Sequence, residues 1–259
     1  MSNNEIIEDL LRHAGQQTAA WDKLRLGRFT ASEVYKLMGE PRSKADKEAN
    51  KFSQTAESYI VDKAMETLTG MAASEHFGRA IDHGLEWEEH ALGILETTLN
   101  LSLQPFQDGL HVPMMKKPNM ALYKGYGGAS ADAIVIIDEK NVGVEIKCPF
   151  STSNHFYHST VVDAATLKDV NPQYYWQVMM GMLCYEFPYW IFASYDPRLE
   201  PGEQLVWAII QRDEIEIQLL QDKLSRAVIR RDEIVTAYRN RSIGASINNR
   251  NQSNFNEHA

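Results

Sequence analysis

The stretch that most limits what this chain can fold into runs from Gly127 to Pro149. It holds two apolar runs, Ala133-Ile134-Val135-Ile136-Ile137 and Gly143-Val144-Glu145-Ile146-Lys147-Cys148. Both are rich in β-branched residues, which suit a pleated surface. Between them lies Asp138-Glu139-Lys140-Asn141, a turn by composition, since Asp and Asn favour turn conformations. The unit reads as a β-hairpin with Asp132 at the head of its first strand. Successive side chains on a strand point to opposite faces. Val144 and Ile146 therefore face a core, and Glu145 and Lys147 stand together on the other face. Pro149 cannot donate to a ladder and ends the strand. A carboxylate and an ammonium so placed can bind a metal ion and hold a water beside it, although a solvated strand can carry the same charges.

Composition narrows the classes. A chain of 259 residues with 44% apolar and 24% charged residues can bury a substantial core. No run of about 18 apolar residues occurs, so no membrane span is expected. The start, Met1-Ser2-Asn3-Asn4-Glu5, lacks the basic-then-apolar pattern of a secretory signal, and a cytoplasmic protein is expected. Cys148 and Cys184 are the two cysteines, too few for a four-cysteine zinc or iron–sulfur site. The net charge of −9 does not advertise a nucleic-acid partner. The distribution is more telling, because Lys23 to Lys51 carries eight basic and four acidic residues.

Along the chain, Asn4 to Ala14 has a short amphipathic helix pattern, and Trp21 to Phe29 reads as extended or turning. Thr30-Ala31-Ser32-Glu33 carries a capping-box signature, with Val34, Leu37 and Met38 at helical spacing behind it. Ser32 would then sit in a first turn, where free N–H groups and the helix dipole favour a phosphate, and Arg25 could add a fork of donors. Phe52 to Thr69 reads as a helix ended by Gly70. Phe77 to Leu95 reads as another, with Ile81, Leu85, Leu92 and Leu95 as core candidates and Glu88 or Glu89 as a further carboxylate. Leu99 to Gly125 reads as irregular strands. His155 and His158 lie three apart, a spacing that can ligate a metal on a helix, but no matching ligands accompany them. Asn171-Pro172 starts a helix to about Tyr185 that carries Gln177. Strands at Tyr189 to Tyr195 and Leu205 to Ile210 follow, then a helix from Asp213 to Tyr238. Residues 1–238 are expected to form one domain, and the Asn/Ser-rich stretch 239–259 a disordered tail.

The Asp132…Glu145-x-Lys147 hairpin resembles the PD-(D/E)xK nuclease core. Several separate stretches, taken in order, are more specific. Trp21-x-x-Leu24-Arg25-Leu26-Gly27 with Thr30-Ala31-Ser32-Glu33, Glu88 in its helix, Ser130-x-Asp132, Glu145-Ile146-Lys147-Cys148-Pro149-Phe150, Tyr175-x-Gln177-Val178 and Tyr195-Asp196-Pro197-Arg198 are together similar to the phage lambda exonuclease, or YqaJ-type viral recombinase, family. The resemblance spans about residues 21 to 215. It implies an α/β (α+β) fold with a restriction-endonuclease-like core, a central mixed β-sheet flanked by helices.

The resemblance further implies a 5′→3′ exonuclease on linear double-stranded DNA that releases mononucleotides and leaves a 3′ overhang. It implies a ring-shaped homo-oligomer, a trimer, working on DNA ends beside a single-strand annealing protein. Asp132 and Glu145 would be Mg²⁺ ligands, with the Ile146 carbonyl as a backbone ligand and Glu88 supporting through water. Two Mg²⁺ ions are implied, with Mn²⁺ as the alternative. Lys147 would orient the attacking water, Gln177 would position Lys147, the water or the phosphate, and Arg25 with Ser32 would hold the terminal 5′-phosphate. The family often has Ser-Pro-Asp-Gly where this chain has Ser130-Ala131-Asp132-Ala133, so the turn geometry there is open. Two rivals stand beside this reading: an endonuclease or a nuclease of different polarity on the same core, and a non-catalytic protein that binds DNA ends.

Overall fold

The computed structural model describes residues 16, 18–73, 78–103 and 113–256, side chains of 101–103 and 242–256 excepted. The helix expected over Asn4 to Ala14 lies outside them. Two mixed sheets form the frame. The larger has five strands in the order β2 (Met114–Lys116), β5 (Ala133–Ile137), β6 (Lys140–Lys147), β7 (Tyr189–Tyr195), β8 (Leu205–Gln211). β6 and β7 are parallel, and the other neighbours are antiparallel. The smaller sheet runs β1 (Phe29–Thr30), β4 (Gly127–Ala129), β3 (Ala121–Tyr123), with β1 and β4 parallel. The expected hairpin is β5–β6. It pairs Ala133 with Val144 and turns through Asp138 and Glu139, both at positive φ (48° and 61°), as a tight two-residue hairpin turn requires.

Alternation along β6 sorts the core into two layers. Val144, Ile146 and Cys148 face one side, where α5 (Arg79–Leu103) lays Ala91, Leu92, Leu95 and Leu99 against them. The opposite side of the sheet carries Ile134, Trp190 and Phe192 and is covered by α8 (Pro172–Tyr185). Asn171 caps α8 by accepting from the Tyr174 N–H, with Pro172 at its first turn. Close approach of α8 to the sheet requires two glycines. A Cβ on Gly143 would lie 2.3 Å from the Trp190 ring and one on Gly181 2.6 Å from it. The indole fills the slot that both leave.

Around this frame, in chain order, lie α1 (Ala19–Arg25), α2 (Tyr35–Met38), α3 (Lys44–Glu48), α4 (Gln54–Thr69), α6 (Thr152–His158), α7 (Ala164–Val170) and α9 (Glu214–Asn256). Several expectations are corrected. Trp21 belongs to a helix, because Thr18 caps α1 by accepting the Trp21 N–H, and Arg25 sits in its last turn where the dipole favours a cation. Thr30 is a strand residue and forms no capping box; α2 begins five residues later without a side-chain cap. The ladder to β4 holds Thr30, while Glu33 turns to Lys36 at 2.6 Å and to the buried Lys63 at 3.6 Å. Ile81 and Leu85 are not core residues, being 41% and 49% exposed, since the first turns of α5 run past the end of the sheet. α5 also continues to Leu103, through part of the stretch read as irregular strands. α9 is capped by Asp213, which accepts from the Glu216 N–H, and its helical backbone extends to Asn256. Among the described residues no helix is long and apolar enough to cross a membrane.

Candidate active site

At the C-terminal end of β6 the two layers open into a cleft of about 540 Å³, lined among others by Glu88, Ile146, Lys147, Phe150 and Tyr174. Of the hairpin, the end of β6 at Ile146 and Lys147 lines it. Asp132 stands one residue before the Ala133–Val144 pair, so it faces Glu145 across the ladder. Its N–H donates to the Val144 carbonyl at 2.9 Å, and its Oδ2 accepts from the Ile146 N–H at 2.8 Å. The N–H and C=O of one strand residue point toward the same neighbour. The Ile146 carbonyl is therefore directed to the Asp132 edge, past the end of β5.

Glu145 is 4% exposed, and its Oε1 accepts from Lys147 Nζ at 2.5 Å and from Gln177 Nε2 at 2.6 Å. The Gln177 Oε1 accepts in turn from Lys147 Nζ at 3.3 Å. The amide of Gln177 is thus oriented by its partners, with its NH₂ toward a carboxylate and its oxygen toward an ammonium. One turn before it on α8, the Tyr174 ring lies 4.5 Å from Lys147 Nζ.

Glu88 arrives from the opposite layer. It faces the cleft, whereas Glu89 is exposed. Its Oε1 is buried without a hydrogen-bond partner, and the Lys117 ammonium stands 3.6 Å away. Lys117 is held there by its own N–H, which donates to the Asp132 carbonyl at 2.8 Å.

The electrostatics follow from three carboxylates gathered in a confined space. Burial, then the charges of Glu145 and Glu88, push the Asp132 carboxyl well above the usual carboxylate range. Burial also raises Glu145, with Lys147 pulling in the other direction. Burial disfavours the Lys147 charge, but Glu145, Tyr174 and Asp132 outweigh it and hold the ammonium above the ordinary lysine value. Such a site gains from a further cation. The donors are oxygen atoms, which suit a hard divalent ion, and the buried Glu88 oxygen, paired with Lys117 but accepting no hydrogen bond, has room for one. Among the described residues no three His, Cys, Asp or Glu side chains close on a single point. An ion here would be completed by the Ile146 carbonyl, water and phosphate, and Mg²⁺ is commonly bound through one or two carboxylates plus substrate phosphates.

Beside this group lies the second set of candidates. The Arg25 guanidinium stacks 4.2 Å above the Trp21 ring, and Trp21 Nε1 donates to Ser130 Oγ at 2.8 Å, two residues before Asp132. Burial lowers the Arg25 pKa, with Glu33 the leading group opposing it. Ser32 is half-buried in the turn after β1. Because β1 and β4 are parallel, both chains leave the small sheet at the same end, which puts the Ser32 turn on the side of Ser130 and Asp132.

The Tyr195-Asp196-Pro197-Arg198 stretch braces the cleft wall. Asp196 is fully buried, and Arg198 grips both its oxygens at 2.7 Å while donating to the carbonyls of Phe150 and Pro149 at 2.9 and 3.2 Å. Burial works against the Asp196 charge, but these bonds hold its carboxyl down at about 2. Tyr174, Lys117 and Ser130 were not singled out from the sequence as site residues. Tyr174 had a signal, since it lies one helical turn from Gln177, whereas Lys117 had none.

Comparison with known proteins places the chain in a family and a fold. The family model of the YqaJ-like viral recombinase domain matches residues 20–187. Two crystal structures of an alkaline exonuclease, LHK-Exo from Laribacter hongkongensis, are 22% identical to this chain. They superpose with TM-scores of 0.67 and, in complex with dAMP, 0.68, covering 88% of this chain and 99% of theirs. A phage related exonuclease from Haemophilus somnus 129PT, 20% identical, has a TM-score of 0.64 over 84% of this chain and 99% of its own. At such identities these likenesses establish the fold. None of the curated proteins compared with the chain matches it. With the family model covering the stretch that carries Arg25, Glu88, Asp132, Glu145, Lys147 and Gln177, the chain belongs to the YqaJ-like viral recombinase domain family.

Proposed function

We propose that this chain is a divalent-metal-dependent deoxyribonuclease. It digests linear duplex DNA from the 5′ end, releases 5′-mononucleotides and leaves a 3′ overhang for recombination by strand annealing. The observation that carries this reading is the Glu145 carboxylate held by Lys147 and Gln177 opposite Asp132, with the buried Glu88 oxygen, which accepts no hydrogen bond, at the same opening. A strand kept only for its core face has no use for such a group.

Asp132, Glu145 and the Ile146 carbonyl would hold Mg²⁺, or Mn²⁺ in its place, with Glu88 acting through water. When bound, such an ion activates a water and neutralises charge on the phosphoryl oxygens. Lys147, fixed by Glu145, Gln177 and the Tyr174 ring, orients the attacking water and stabilises the charge that develops on phosphorus-bound oxygen. Gln177 holds Lys147 in that direction through its amide oxygen. Arg25 and Ser32 hold the terminal 5′-phosphate, which sets the next phosphodiester in register with the attacking water. The working form is a ring-shaped homo-oligomer, a trimer, that receives duplex ends and hands the exposed strand to a single-strand annealing protein.

The test is digestion of a uniformly labelled linear duplex with Mg²⁺, followed by release of acid-soluble nucleotides. Closed circular duplex should survive, EDTA should stop the reaction, and a 5′-phosphorylated end should be consumed faster than a 5′-hydroxyl end. Cleavage of closed circles, or parent-rate digestion by Lys147→Ala, would overturn the reading.

A further inference from the structure

The two histidines that stand three apart in sequence take no part in the mechanism above, yet both are buried on the active-site side of the sheet. α6 lays His155 (3% exposed) and His158 (4%) over Ser194 of β7, which is fully buried. The Nδ1 of each ring is 3.0 Å from Ser194 Oγ, and His155 Nε2 is 3.2 Å from the Glu203 carbonyl oxygen. These partners assign every proton of the neutral cluster. A carbonyl only accepts, so His155 carries its proton on Nε2 and its bare Nδ1 accepts from the Ser194 hydroxyl. The hydroxyl has a single proton, so toward His158 it is an acceptor, and His158 is the Nδ1–H tautomer. The chain runs in one direction: His158 to Ser194, Ser194 to His155, His155 to Glu203.

The middle of this chain, Ser194, lies beside Lys147. Ser194 is the ladder partner of Lys147, and Phe192 that of Glu145, so all four side chains share one face. The His158 ring meets Tyr174 at 5.6 Å and Phe192 at 5.4 Å, in both cases edge to face. The Tyr174 ring then lies against the Lys147 ammonium. Lysine carries its charge on a flexible four-carbon stem. Glu145 and Gln177 fix how far the amine reaches, and the ring face fixes the side from which it does so.

We infer that His158, locked by Ser194 and His155, is a positioning residue for Lys147 that acts by holding the Tyr174 ring. The inference rests on the reading of Lys147 as the group that orients the attacking water. It accounts for the pair of histidines without a metal, and it makes a polar cluster with no solvent access part of the catalytic geometry.

Two measurements test it. Steady-state digestion of linear duplex by the full chain is compared for the parent, Ser194→Ala, His158→Phe and Lys147→Ala. His158→Phe keeps a ring of similar size and removes the hydrogen bond. Both Ser194→Ala and His158→Phe should lower kcat about tenfold, with KM for duplex ends within about twofold, while Lys147→Ala abolishes turnover. If Lys147→Ala is inactive but the other two keep the parent kcat, the inference fails and the nuclease reading stands. If Lys147→Ala keeps the parent rate, the nuclease reading fails. The second measurement needs no variant. Long-range imidazole ¹H–¹⁵N spectra of histidine-labelled protein at pH 7.5 should show His158 protonated on Nδ1 and His155 on Nε2. The same tautomer at both rings, or an imidazolium at either, overturns the hydrogen-bond chain.

Discussion

The buried His158 makes folding stability depend on pH in a way that can be worked through. Its imidazole is 4% exposed, and burial, then His155 and Lys147, lower its pKa from an ordinary 6.5 to about 4. The unfolded chain therefore binds a proton between these values that the folded chain refuses. The associated stability is fully present above pH 6.5 and is lost as the pH falls toward 4. The whole window is worth about 3 kcal/mol at 1.36 kcal/mol per pKa unit. Most of it is reached early: between pH 7.5 and 5 about 2 kcal/mol should go, since the unfolded imidazole is then almost fully charged and the folded one is not. Urea unfolding of the parent and of His158→Phe, measured across that range, isolates the contribution. Asp132 and Glu145 titrate with the opposite sign, their raised pKa values favouring the folded state in acid, but they do so in both proteins and cancel in the difference. With a slope near 3 kcal/mol per molar urea, the parent midpoint should fall by about 0.7 M more than that of the variant. Parallel pH dependences of the two midpoints would show that His158 does not carry this linkage.

Other perturbations act at separate places. Lys147→Ala should reduce cleavage about 10³-fold at saturating duplex while gel-shift binding to DNA ends persists; weakened binding with intact turnover would contradict its assigned role. Asp132→Asn keeps an oxygen to accept the Ile146 N–H and removes one of three crowded carboxylates. It should raise the melting temperature in EDTA and remove the further rise on adding Mg²⁺, as scanning calorimetry would record. Arg198→Met leaves the fully buried Asp196 charge without its partner and frees the Phe150 carbonyl, so it should cost about 3 kcal/mol in urea at pH 7.5. Gly143→Ala drives a methyl into the Trp190 ring and should cost at least about 2 kcal/mol by the same assay.

What the sequence made legible was local chemistry with a strong period or a specific start signal. The β5–β6 hairpin followed from β-branched alternation on either side of an Asp-containing turn, and α8 from Asn171-Pro172. The same alternation predicted that Glu145 and Lys147 share a face. Arrangements set by distant partners were hidden. Trp21 is helical because Thr18 caps the turn and Ser130 takes its indole N–H, and Ser130 is 109 residues away. Thr30 and Glu33 carry a capping box in sequence, but a two-residue ladder to β4 and the buried Lys63 recruit them first. Ile81 and Leu85 keep helical spacing with Leu92 and Leu95, and periodicity cannot tell where a helix leaves the sheet it covers.

The site itself shows why a motif and a site are different things. Asp132, Glu145 and Lys147 come from one hairpin, and their mutual placement is fixed by strand alternation alone. Gln177 and Tyr174 come from α8 on that same face, and His155 and His158 from α6 stand over the adjoining ladder position. Glu88 is different. It belongs to the helix packed on the other face of β6, and it reaches the group only because β6 ends at Lys147 and the cleft opens around that end. The carboxylates are thus held by two cores that meet only across one sheet. A shift of α5 on the sheet would move Glu88 relative to Asp132 without disturbing the Glu145–Lys147–Gln177 contacts. The packing of Leu92, Leu95 and Leu99 on Val144 and Ile146, far from any charge, therefore sets the spacing of the carboxylates.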